Sequence, residues 1–256
     1  MNTASEEKTG GLTVFHLKLI AYITMLIDHI GAFVIRPYTD ANLETMGYKM
    51  MRILDNSYEV CRSLGRIAFP LFCFMLVEGF LHTHNKWRYL MRLAVFALIA
   101  EYPFDLVHMD NTMWAQQSVM VTLTIALLVL ICIDLLQRSN IVRPLRDLLC
   151  FLPIAAGCVL AYYVKCDYGF KGILVISALY LMYPLFSIER VSYVISGGIL
   201  FFWEWMSKVS RVFSSLAFIP LLFYNGKKGR SVKWGFYLFY PLHLLLLYGV
   251  IRYLLR

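Results

Sequence analysis

The chain has 256 residues, of which 60% are hydrophobic and 16% charged, whereas a soluble domain of this length carries about 25% charged residues. A mean hydropathy of +0.64 and repeated apolar runs of about 18 residues or more exclude a single soluble domain and predict a polytopic helical membrane protein. The formal charge of +8 does not indicate a nucleic-acid partner, because the basic residues gather in short segments between apolar runs, where they orient a protein in a bilayer.

Six cysteines at 61, 73, 132, 150, 158 and 166 form no CxxC pair and no Cys/His ligand spacing, so no metal site is expected. The acidic opening residues lack a cleavage motif, and no removable signal peptide is expected. The apolar runs predict about nine transmembrane helices in one compact all-α bundle. They lie near 17–36, 63–81, 89–108, 118–137, 146–164, 170–187, 191–206, 210–224 and 234–254. Residues 1–16 form a short tail and 17–256 the membrane domain. Segments 82–92, 131–147 and 225–233 are rich in Lys and Arg, whereas 107–117 has none. That alternation puts the N-terminus and the three basic segments in the cytoplasm of a multi-pass cell-membrane protein.

In chain order, the first span carries Lys18 near its start and Asp28-His29 well inside it. Ionisable groups at that depth are expensive and face a cavity, a partner or a substrate path. Eleven helical steps separate Lys18 from His29, returning to within about 20° of one face about 16 Å further along. The second span opens with Arg66, contains Pro70, which should free a carbonyl, and closes with Glu78 and His82 one turn apart. The third begins near Arg92 and ends with Glu101 and Asp105, with Pro103 expected to break the helix between them. Arg66 with Glu101 or Asp105 also reads as a structural interhelical ion pair. The last span holds Tyr240 and His243 on either side of Pro241. An imidazole, a guanidinium and carboxylates at similar depth on three helices suit acid–base chemistry or proton transport.

The runs MLIDHIG, GRIAFPLFCFMLVEGF, RLAVFALIAEYPFD and FYLFYPLHLLLLY resemble the TraX family, whose namesake acetylates the N-terminus of pilin. The Lys-x10-His arrangement is similar to the first-helix pattern of the wider transmembrane acyltransferases, which have a buried catalytic histidine and an acyl-CoA donor entering from the cytoplasm. The resemblance implies His29 as the catalytic imidazole, Asp28 as its polar neighbour, and Arg66, Glu101 and Asp105 lining the acceptor side, with Arg66 as oxyanion donor. Lys18, His82 and Arg92 would hold acetyl-CoA, and Tyr240 and His243 the acceptor. That acceptor is a peptide N-terminus, glycan or small molecule carrying an amine or hydroxyl. Two rivals stand beside this acetyltransferase reading. One is a proton-coupled transporter using Asp28, His29 and Glu101 as a relay; the other is a non-catalytic membrane component of a secretion or conjugation system.

Overall fold

The computed structural model describes residues 10–108, 116–183, 216–231 and 233–256. All elements among them are helical, with two isolated bridges and no named strand. The first long element runs through α1 (Val14–Ile30), a π-helical turn (Gly31–Ile35) and α2 (Arg36–Ala41). It turns back at 42–47 into α3 (Tyr48–Gly65), which continues after a break at Arg66-Ile67 into α4 (Ala68–Leu81). The two arms are antiparallel: Gly31 meets Cys61, and Gly65 meets Asp28.

α3 is a departure from the sequence expectation, which left 37–62 between spans. Its Lys49, Arg52, Asp55, Glu59 and Arg62 keep its hydropathy too low to register as a span. Yet its amphipathic pattern lets it lie along α1. Pro70 also behaves differently: it stands third in α4, where an N–H has no intrahelical acceptor, so no hydrogen bond is lost there. Pro103 lies inside the unbroken α5 (Lys86–His108), correcting the expected break.

The remaining elements are α6 (Val119–Gln137), α7 (Arg143–Leu149), α8 (Phe151–Val164), α9 (Gly169–Met182), α10 (Phe218–Leu222) and α11 (Lys233–Leu254). α4 and α6 form the centre. Nearly every residue of α4 is buried, and Ala126, Leu127, Leu130 and Ile133 of α6 are sealed among α4, α5, α8 and α9. α8 instead turns Phe151, Leu152, Tyr162 and Tyr163 outward, as a lipid-facing helix does.

Five helical runs among the described residues are long and apolar enough to cross a membrane: Val14–Ala41, Tyr48–Leu81, Val119–Gln137, Arg143–Val164 and Trp234–Leu254. α5 adds a charged helix of 23 residues and α9 a shorter apolar one. The predicted span 191–206 and most of 210–224 lie outside the described residues, so the described residues do not confirm the count of nine. The first helix begins at Val14. Residues ahead of it are tied to the segment after α10: Leu12 donates to the Phe223 carbonyl at 2.8 Å, and Asn225 donates back to Leu12 at 2.9 Å.

Candidate functional site

A cavity of about 470 Å³ runs through the bundle from the end where α1 begins. Lys18, Arg92, Lys228 and Arg230 line one end of it, and Val119, Met120 and Tyr240 the other. Because α6 starts at the opposite end of the molecule, a space touching both its first turn and the 226–231 loop crosses much of the bundle. Between these ends the wall is apolar and aromatic, with Met25, Phe72, Met75 and Tyr22. The α1 contribution follows helical spacing: 14, 18, 22 and 25, with His29 next on that stripe. Arg92 Nε is buried in the wall with no hydrogen-bond acceptor among the described residues. Lys18 Nζ rests over the Phe236 ring at 5.0 Å. Glu78 accepts from the Tyr224 hydroxyl at 2.9 Å, and His82 Nδ1 stands 3.6 Å from the same oxygen. The structure thus gathers Lys18, His82, Arg92 and Tyr240 in the lining of one cavity.

His29 is half-buried just beyond the cavity, one turn above Met25. Its ring stacks on His243, with centroids 5.0 Å apart and planes 9° from parallel, and its Nδ1 is 2.7 Å from His243 Nε2. His243 Nδ1 is in turn 2.8 Å from the Phe239 carbonyl. A carbonyl can only accept, so the His243 proton sits on Nδ1 and its Nε2 is an acceptor. His29 must then donate from Nδ1, which leaves a lone pair on His29 Nε2. Two neutral imidazoles and one carbonyl thereby define a base. Phe33 and Tyr240 flank the His29 ring at 5.1 and 6.2 Å. The π-helical turn begins two residues after His29, at Gly31; such bulges recur at functional sites.

The other predicted residues divide differently from expectation. Asp28 pairs with Arg62 of α3, and Gly65 is essential to that fit because any Cβ there would overlap the Asp28 side chain. Glu101 does not pair with Arg66. Its carboxylate accepts from the Ser118 hydroxyl and from the Ser118 backbone N–H at 3.1 Å, capping the start of α6. Asp105, one turn on, bears on Glu101 through its charge. Arg66 lies at the break between α3 and α4, within electrostatic reach of Asp167 and Tyr168. None of Arg66, Glu101 and Asp105 lines the cavity. His243 also stands outside it, as the partner of His29.

Sequence reasoning missed Arg62, Lys228 and Arg230 as individual residues. Arg62 had a signal, since it precedes Arg66 by four residues and shares its face. Without a helix assigned to 48–65, that spacing carried no meaning. The 225–233 segment was read as a topology signal, and nothing in its pattern disclosed that it folds over a cavity.

The TraX protein family matches residues 14–251 of this chain. A similar protein from Dichelobacter nodosus, named "Probable fimbrial assembly protein FimC, serogroup H1", is 31% identical over 258 residues, spanning 92% of this chain and 94% of its own length. No solved structure matches the chain. A match over nearly the whole bundle, histidine pair included, means that the chain belongs to the TraX family.

Proposed function

We propose that this protein is a membrane-embedded acetyltransferase that moves an acetyl group from cytoplasmic acetyl-CoA to an amine at the other side of the membrane. One observation carries the reading: a cavity with a cationic mouth ends one helical turn below a histidine whose Nε2 lone pair is fixed by a second histidine. Its size lies within the usual range for small-molecule sites, about 300–1,000 Å³. The acyl donor is a co-substrate here. Its phosphates would sit among Lys18, Arg92 and His82, where the buried, unsatisfied Arg92 Nε calls for an anionic acceptor. The pantetheine arm would follow the apolar wall toward Tyr240.

The acceptor nitrogen attacks the thioester carbonyl, so a C–N bond forms and the C–S bond breaks. His29 Nε2 takes the proton from that nitrogen, and the CoA thiolate leaves toward the mouth and is protonated in water. Tyr240, at the inner end of the cavity beside His29, takes the place of Arg66 and donates its hydroxyl to the developing oxyanion. Asp28 is engaged by Arg62 and acts on the architecture around His29.

The name of the similar D. nodosus protein and the pilin chemistry of the family's namesake support a fimbrial or pilin-like subunit with a free N-terminal amine as acceptor. The same name favours one other reading, a non-catalytic assembly component. The test separates them. Purified protein is given radiolabelled acetyl-CoA and a peptide with a free N-terminus, and label transfer and thiol release are followed. Transfer by wild type and a loss of about 10²–10⁴-fold in His29→Ala, with CoA affinity retained, is expected. No transfer, with assembly unaffected by His29→Ala in cells, would establish the scaffold reading instead.

A further inference from the structure

Ser118 stands at the N-cap of α6, where a serine hydroxyl ordinarily accepts from one of the first free N–H groups of its own helix. Here it makes no such bond. The hydroxyl turns the other way and donates to the Glu101 carboxylate, which also takes the Ser118 backbone N–H at 3.1 Å. The same Ser118 side chain is within hydrogen-bonding reach of the Tyr240 hydroxyl, and Glu101 is close enough for its charge to bear on Tyr240. Ser118 is fully buried and Tyr240 nearly so. Val119, Met120 and Tyr240 line the inner end of the cavity, whereas Ser118 does not. Ser118 therefore meets the cavity only through Tyr240.

A serine hydroxyl has one hydrogen. With that hydrogen on Glu101, Ser118 Oγ can only accept, so the Tyr240 hydroxyl hydrogen points at Ser118 when the cavity is empty. To stabilise an oxyanion, Tyr240 has to turn that hydrogen toward the cavity, which leaves Ser118 Oγ without a donor. Ser118 can follow by turning its own hydrogen onto the Tyr240 oxygen. Glu101 tolerates the exchange, because it keeps the Ser118 backbone N–H and faces the positive end of α6. We infer that Ser118 is a positioning residue for the transfer: it holds the Tyr240 hydroxyl at rest and donates to it when the oxyanion forms. No covalent bond changes in this step. Two O–H groups rotate, and the bond that Ser118 donates strengthens the one that Tyr240 donates. The inference rests on the acetyltransferase reading and its use of Tyr240, but part of its test needs no turnover.

Ser118→Gly removes the hydroxyl and keeps a residue that starts a helix well, and Ser118→Thr keeps the hydroxyl. The full chain in neutral detergent carries fluorotyrosine at position 240, and its fluorine resonance is recorded without ligand. Ser118→Gly should move that resonance, and Ser118→Thr should leave it near the wild-type position. In acetyl transfer, Ser118→Gly should lower kcat about 5–10-fold with the KM for acetyl-CoA little changed, the size of one neutral hydrogen bond made in the transition state. Tyr240→Phe should lower kcat about 10²–10³-fold. Adding Ser118→Gly to Tyr240→Phe should cost nothing further, because Ser118 acts through the hydroxyl already removed. Additive losses would make Ser118 a structural cap of α6 and overturn the inference. Ser118→Thr as slow as Ser118→Gly would overturn it too. A resonance that moves, with no acetyl transfer by wild type, would keep the Tyr240–Ser118 bond and remove the acetyltransferase reading. Transfer that depends on His29, with a resonance indifferent to Ser118→Gly, would do the reverse.

Discussion

A neutral imidazole has one donor and one acceptor, so a histidine that must act as a base needs its donor nitrogen committed elsewhere. In many sites a carboxylate takes that proton's hydrogen bond; here a second imidazole does, and a backbone carbonyl fixes the second. In the proposed reaction His243 is accordingly a positioning residue. His243→Ala should lower the transfer rate about 10–100-fold, the usual effect of removing a group that orients an active imidazole. His243→Gln should recover part of that loss, because its amide oxygen can accept from the same N–H. A purely packing role predicts the opposite order of rescue, with His243→Phe better than His243→Gln. The pH profile of turnover separates the roles further, since only a change in the His29 tautomer moves its acidic limb. The short spacing from Lys18 to His29 was legible in the sequence because both lie on one helix. The His29–His243 bond was not, since residues 214 positions apart meet only through the packing of α11 against the first arm.

At the scale of elements, the first helical hairpin holds the site by one close approach. Gly65 lets α3 press on α1 at Asp28, and Arg62 neutralises the carboxylate there. Both side chains are largely buried, at 22% and 18% exposed, so removing Arg62 takes away one of the groups that balance a carboxylate with little water around it. Arg62→Met should therefore destabilise the protein by about 3 kcal/mol, whereas Asp28→Asn combined with Arg62→Met should recover much of that loss. Thermal unfolding in detergent measures both. A double variant no more stable than Arg62→Met would mean that the pair contributes packing and not charge compensation. Gly65→Val should resemble Arg62→Met for a different reason, because its side chain displaces Asp28. This hairpin also marks where hydropathy stops being informative. α4, α6 and α8 declare themselves as apolar runs, but α3 is half polar and α5 carries charge at both ends, so their place in the bundle depends on partners that a window of sequence does not contain.

For the whole molecule, length sets a constraint that the bilayer must meet. The two arms of the first hairpin have 28 and 34 residues, about 42 and 51 Å as continuous helices, against a hydrocarbon core of about 30 Å. The excess cannot be buried in lipid on the mouth side, because α1 begins there at Val14 and α4 ends at Leu81, both level with the cavity entrance. The tip at 42–47, with α2 and the first turns of α3, therefore projects into water on the face opposite the mouth. If acetyl-CoA enters from the cytoplasm, that tip is external, and an acceptor amine approaches His29 from its side. A Glu44→Cys variant, in a background cleared of the six native cysteines, should react in intact cells with an impermeant maleimide. A Lys227→Cys variant should react only after the membrane is opened. Reaction of Lys227→Cys in intact cells, with Glu44→Cys protected, would invert the protein. The cationic mouth would then face away from the cytoplasmic CoA pool, and transfer across the membrane in the proposed direction would be ruled out.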